Sequence, residues 1–473
     1  MSLNVVLRLI VLPQAPADFA AGHGFSIGSR TRYNPRIDYP YSSPGRSMSE
    51  TVISPFDIPV GYEHVEFTAD LCIKCNICTS ACPVAPVTDL FPGPKTVGPQ
   101  AQRFRMNGER GAESPDASVD YCSGCGICTM VCPHGVKIME MNVRAREALY
   151  DGDIPLRNRI LGRSELMGKL GHRFAPLLNF GASIRPARVI AEKVIGIHRD
   201  APLPKWSFTP FREWFRRHKP QAAAPYRGQV AYFHACAGNY FDTTVSKAAV
   251  MVLAHNGFDV VLPEQNCCGL PMQSNGEFEA AKACGRSNID KLAPYARLGI
   301  PVVGASTSCT LSLKSDYREI LQIDHPDRDR VARNTYDLSE FLLMLHQRGE
   351  LRTDFHALPF DELLYHAPCQ QKAHHMGQPA LDLFALIPGL RVRLADAACC
   401  GIAGTYGLKR EKYTIGMDVG EPLFAQVRAA GTDKPTICDS ETCRWQITHA
   451  TGAESIHPVQ VLAAAYGIVE MSA

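Results

Sequence analysis

No run of this chain approaches the roughly 20 consecutive apolar residues that a membrane-spanning helix needs. The longest early candidate, Val5 to Leu12, is short and broken by Arg8. Any membrane contact is therefore expected to be peripheral or through a partner. The pattern G-x-G-x-x-G is missing from the strand–helix junctions, which argues against a dinucleotide held in the usual way. A recognisable cleavable leader is lacking too, so the 18 cysteines do not read as the disulfide frame of a small secreted protein. A reducing, cytoplasmic compartment is expected instead. Overall charge is nearly absent, with 49 Lys and Arg against 47 Asp and Glu.

What is present is a 473-residue chain, 45% hydrophobic and 20% charged. That is the composition of a globular protein of about three domains. The near-zero net charge hides one basic stretch. Residues 155–220 carry 14 Lys and Arg against 4 Asp and Glu, a net of +10, which leaves −8 elsewhere. Aromatic residues Trp206, Phe211, Trp214 and Phe215 are interleaved with those charges. With no nucleic-acid motif in the chain, nucleic acid is not expected as a partner. The stretch reads as an amphipathic linker able to meet an anionic membrane or a partner subunit. Residues 1–60 read as a disordered leader: the first 47 are rich in Gly, Pro, Ser and Arg without periodicity, and Met48 offers a second start.

The cysteines carry the chemistry. Cys72, Cys75, Cys78, Cys82-Pro83 and Cys122, Cys125, Cys128, Cys132-Pro133 both read C-x-x-C-x-x-C-x-x-x-C-P. Two-cluster ferredoxins hold a pair of [4Fe–4S] cubanes with this run. Three thiolates on a tight loop wrap three corners of one cube, and the fourth points to the other. One cluster is thus expected on Cys72, Cys75, Cys78 and Cys132, the other on Cys122, Cys125, Cys128 and Cys82. Paired C-x-x-C also builds zinc sites, but zinc has no use for a third evenly spaced cysteine and the repeated Cys-Pro ending.

A second repeat follows residue 227. Cys236, Cys267-Cys268-Gly269 and Cys309 return as Cys369, Cys399-Cys400-Gly401 and Cys443, at offsets of 133, 132, 132 and 134. Strand-like runs precede these cysteines: Val230–His234, Phe258–Leu262 and Pro301–Val303, then Leu363–His366, Leu390–Leu394 and Pro435–Ile437. Helical stretches such as Thr244–Asn256 and Glu277–Leu298 lie between. Strand, loop cysteine and helix in turn predict βαβ modules on a parallel sheet, with ligands gathered at one end of it. Each set of four, Cys236, Cys267, Cys268, Cys309 and Cys369, Cys399, Cys400, Cys443, is a candidate for one further iron–sulfur cluster. The glycine after each cysteine pair reads as a turn that lets backbone approach that cluster. Cys284 reads as core; Cys438 is either an extra ligand or a buried strand-end thiol. His234 and His366 recur before the first cysteine of each module and read as groups that orient a loop or bond a sulfur.

The expected fold is therefore α+β and multidomain: an α-helical, ferredoxin-like two-[4Fe–4S] domain over 61–150, the linker over 151–226, and Cys-Cys-Gly modules over 227–350 and 360–473. Over residues 66–470 the chain resembles the iron–sulfur proteins that include the D-subunit of heterodisulfide reductase and the glycolate oxidase iron–sulfur subunit. It is most similar to the C-subunit family of anaerobic glycerol-3-phosphate dehydrogenases. The phrases carrying that resemblance are Phe91-Pro92-Gly93-Pro94-Lys95, Ser164 to Gly168, Phe174-Ala175-Pro176, Leu203 to Phe208, Cys399 to Gly407 and Glu441 to Ile447. The resemblance implies a three-subunit complex in which an FAD subunit oxidises sn-glycerol 3-phosphate to dihydroxyacetone phosphate. This chain would then have no catalytic residue of its own. It would pass the electrons toward menaquinone, as a peripheral protein on the inner face of the cell membrane. Kindred implications are a relay for a glycolate- or lactate-oxidising flavoprotein, and a thiol–disulfide reductase of the heterodisulfide type. The family pattern often ends each module in C-x-x-C; here Ser312 follows Cys309, and Ser440 precedes Cys443.

Overall fold

The structure, a computed structural model, describes residues 65–105, 117–150 and 153–470. The expected leader and its second start at Met48 lie outside those residues. Two four-stranded parallel sheets organise the second half, in the order β2-β1-β3-β4 and β6-β5-β7-β8. Their strands are β1 (Gly228–Phe233), β2 (Phe258–Val261), β3 (Val302–Gly304), β4 (Thr335–Asp337), β5 (Glu362–His366), β6 (Arg391–Leu394), β7 (Thr436–Cys438) and β8 (Ser455–Ile456). The centre of each sheet is apolar along its length, as in Val230-Ala231-Tyr232-Phe233, because helices cover both faces of a parallel sheet. β4 and β8 lie beyond the sequence reading: three and two residues carry no alternation to detect.

The modules are not beads on a string. Helix Thr243–His255 of the first packs on helix Pro458–Ala465 of the second, and helix Leu338–Gln347 on helix Pro379–Phe384. Each module thus lends a helix to the other, and one apolar core runs through Tyr232, Leu253, Phe341, Tyr365, Phe384 and Leu462. The ferredoxin-like region has no strand among its described residues. Short turns carry its cysteines, and one longer helix, Ile138–Leu149, lies behind them. Lys137 on that side donates to Glu319 of the first module at 3.1 Å, both side chains buried.

The basic segment is packed along much of its length. It folds into helices Leu156–Gly162, Ser164–Gly171, Ala175–Ser183, Arg185–Val194 and Phe211–Arg217. Arg157 makes a two-pronged pair with Glu411 at 2.7 Å, and Arg163 grips Glu277, so the segment straps both modules together. Phe211 and Phe215, expected to be free for a membrane, are 0% and 7% exposed and belong to the main core. The apolar side of their helix meets Tyr232 edge-on rather than water, since burying it against β1 is worth about 2 kcal/mol per ring. Trp206 is half-buried, its Nε1–H donating to Met167. Apolar groups that do reach the surface sit earlier, among them Leu166, Leu170, Phe174, Leu177 and Phe180.

Candidate functional site

The first cysteine run leaves a 3-10 turn at Val65–Leu71 and enters a short helix at Ile77. Between them Lys74 and Asn76 take left-handed backbone (φ 64° and 74°), as do Gly124 and Gly126 (68° and 82°) in the second run. That conformation curls each loop so that three thiols face one point. Cys72, Cys75, Cys78 and Cys132 line one small cavity, so the fourth thiol of this set comes from the other run. Cys75 is exposed and Cys72 and Cys132 are half-buried, which places this set at the surface.

The second set is interior. Cys82, Cys122, Cys125 and Cys128 are all buried. Burial and the neighbouring thiols of Cys122 and Cys78 push the Cys82 thiol up to about 11, against the opposing pull of backbone N–H groups. Burial and the thiols of Cys125, Cys122 and Cys82 raise Cys128 further. Thiols so crowded resist ionising by themselves, whereas a metal centre deprotonates its ligands outright. The donor chemistry fits a cubane: four sulfurs, no disulfide, and Asn142 Nδ2 donating to Cys122 Sγ at 3.9 Å.

The module cysteines stand at the carboxyl ends of their strands. In the first, Cys236 and Cys267 sulfurs are 3.9 Å apart, and Cys268 bridges Cys267 to Cys309. In the second, Cys399 lies between Cys369 and Cys400, and Cys400 and Cys443 sulfurs are 2.9 Å apart. All eight are buried. A cavity of about 270 Å³ joins the two modules to the interior ferredoxin-like set: Cys125 and all the module cysteines except Cys267 line it. Cys399 is near enough to Cys125 to help push the Cys125 thiol up. Leu161, Met167 and Trp206 of the basic segment close the cavity. Glu165 of that segment accepts the Cys267 backbone N–H at 2.6 Å, a role that nothing in the sequence pattern signals.

Ser306 of the first module matches Ser440 of the second, at the same offset of 134 that relates Cys309 to Cys443, and the two precede the matching helices Thr307–Leu311 and Glu441–Thr451. Ser306 Oγ donates to Cys309 Sγ at 3.3 Å, while Ser312 turns to Asp316. The glycines after the cysteine pairs make tight left-handed turns and also make room for neighbouring helices. A Cβ on Gly401 (φ +84°) would sit 1.7 Å from the Gly416 carbonyl oxygen, and one on Gly269 (φ +95°) would be 3.1 Å from that of Ala281. His234 and His366 are not counterparts. β1 pairs with β3 through Phe233↔Gly304, and β5 with β7 through His366↔Cys438, so the position matching His366 is Phe233. His234 lies just past the end of β1, as the residue before helix Ala235–Tyr240. It bonds the Ala235 carbonyl at 2.7 Å and stacks edge-on against Phe211, and burial pushes its pKa down to about 3.

Comparison with known proteins agrees with this arrangement. Residues 68–136 match the model of a 4Fe-4S dicluster domain, and residues 230–314 and 363–448 each match that of a cysteine-rich domain. The chain is 38% identical to the C-subunit of anaerobic glycerol-3-phosphate dehydrogenase from Escherichia coli (strain K12), over 83% of this chain and 98% of that protein. The chain belongs to this C-subunit family of iron–sulfur proteins. More distant relatives share less of its length. Lactate utilization protein A of Exiguobacterium sp. is 30% identical over 40% of this chain and 77% of its own. The B-subunit of the CoM/CoB fumarate reductase from Methanothermobacter marburgensis is 26% identical over 50% and 44%. Across the described residues no helix is long and apolar enough to cross a membrane.

Proposed function

We propose that this chain is the electron-transfer subunit of an anaerobic sn-glycerol-3-phosphate dehydrogenase complex. An FAD subunit oxidises the substrate to dihydroxyacetone phosphate, and this chain conducts the electrons toward membrane menaquinone. One observation supports the reading above others. The thiol sets run in unbroken order from the exposed Cys75, through the buried Cys82, Cys122, Cys125 and Cys128, to a cavity shared by both modules. Cys72, Cys75, Cys78, Cys132 and Cys82, Cys122, Cys125, Cys128 would each hold a [4Fe–4S] cluster, and each module one more. Such clusters supply one-electron chemistry without proton transfer to substrate. The chain itself fixes their order, keeps water from the inner ones and presents the outer one. Exposed Ile73 and Ile77 flank Cys75 and suit a partner subunit's surface.

Membrane contact belongs to the exposed Leu170, Phe174, Leu177 and Phe180, set among the exposed Lys169, Arg173 and Arg185. These replace the buried Phe211 and Phe215 as the inserting groups. Basic side chains near an anionic surface contribute about 1 kcal/mol each, screened within roughly 8 Å at physiological salt.

The test is anaerobic isolation of the native complex and addition of sn-glycerol 3-phosphate. Visible absorbance at the clusters should bleach within a turnover of the flavin subunit. Bleaching by lactate or glycolate instead, or by a dithiol couple alone, would contradict the proposed donor.

A further inference from the structure

The two modules share a topology but differ where their central strands end. His366 stands opposite Cys438 on β5 and β7, and Phe233 opposite Gly304 on β1 and β3. Register neighbours on adjacent strands send their side chains to the same face. The second module therefore offers an imidazole and a thiol where the first has a phenyl ring and no side chain. His366 is 0% exposed, and neither ring nitrogen finds a hydrogen-bond partner among the described residues. A buried polar atom left without a partner is costly, and a protein retains one when something else binds it. What the ring faces is sulfur: the ligand atoms of His366, Cys400 and Cys443 all lie within 4.8 Å of one another. Cys438, fully buried, adds its thiol beside Cys443.

We infer that His366 is an iron ligand of the second module's cluster, in a mixed imidazole–thiolate set with Cys400, Cys443 and Cys438. The first module, with Phe233 and Gly304 at the matching places, holds its cluster by cysteine alone. The inference rests on the reading that the second module carries an iron–sulfur cluster. Its consequence is electronic. A neutral imidazole in place of a thiolate removes one negative charge from the centre and raises its reduction potential. The second module is then the stronger electron acceptor of the pair, and it adjoins the interior set through Cys125 and Cys399.

The full chain, made anaerobically in a histidine auxotroph fed imidazole-¹⁵N histidine, tests this by pulsed electron paramagnetic resonance. One reduced cluster should show a strong nitrogen coupling that shifts with the isotope. In His366→Cys that coupling should vanish while iron and sulfide per chain stay within about a tenth of wild type, and the midpoint potential of that cluster should fall. A spectrum indifferent to the label, or a labelled coupling that survives His366→Cys, overturns the inference. Zinc in the second module overturns it as well. Iron limited to about eight atoms per chain would remove the underlying reading too, and the metal count separates that failure from the loss of the ligand alone.

Discussion

Lys412 of the second module donates its ammonium to Asp120 of the ferredoxin-like region, at the backbone carbonyl (2.7 Å) and at the carboxylate. Lys412 is 1% exposed and lies over the rings of Tyr121 and Tyr406. Burial pushes its pKa down to about 8 against the pull of Asp120. Burial alone would raise the Asp120 carboxyl; Lys412, Arg146 and Lys409 hold it well below the usual carboxylate range. Asp120 sits two residues before Cys122, so this pair pins the interior thiol set to the second module.

Lys412→Met should therefore destabilise the chain by about 3 kcal/mol, since it leaves a buried carboxylate with only more distant cations. Anaerobic urea titration would measure the loss. The signal of the Cys122 cluster should fade before that of the Cys75 cluster, because the pair holds the former.

The two glycines give a graded comparison. Gly269→Ala should cost about 1–2 kcal/mol, mainly for left-handed backbone, with Ala281 giving way slightly. Gly401→Ala meets the Gly416 carbonyl oxygen at 1.7 Å and cannot relax without moving helix Tyr413–Ala430. Iron and sulfide analysis of both variants should show near-normal content in the first and loss of the second module's iron in the other.

His374 supplies a pH dependence. Its Nε2–H donates to the Thr307 carbonyl at 2.8 Å across the module boundary, and burial pushes its pKa down to about 3. Below about pH 6.5 the unfolded chain takes up a proton that the folded chain refuses. Stability from this group is thus lost as pH falls from 6.5 toward 3. His374→Gln lacks that proton uptake. The stability gap between wild type and variant should shrink by about 2 kcal/mol between pH 7.5 and pH 5. A gap unchanged across that range would mean the imidazole titrates normally.

Cross-ligation is open to a paired substitution. Cys82→Ser and Cys122→Ser should remove the same electron paramagnetic resonance signal, although forty residues separate them. Cys72→Ser should remove the other. Loss of different clusters in the first two variants would mean that each run holds its own.

Much of this was legible because cysteine spacing is chain geometry. A C-x-x-C-x-x-C loop closes on one point whatever surrounds it, so the groups Cys72/75/78 and Cys122/125/128 needed no tertiary information. The duplicated offsets likewise announced paired sheets. What stayed hidden depended on contacts between distant segments. The basic helices looked free because their charges dominate the sequence, yet Phe211 and Phe215 face β1. His234 and His366 looked equivalent because the eye counts neighbours, while a sheet pairs by register.

The most direct measurement is iron, acid-labile sulfide and zinc on the full chain purified without oxygen. Expected are more than about eight iron atoms per chain with sulfide to match, falling by about four in Cys82→Ser. Zinc in place of iron, with no sulfide, would contradict an electron relay altogether.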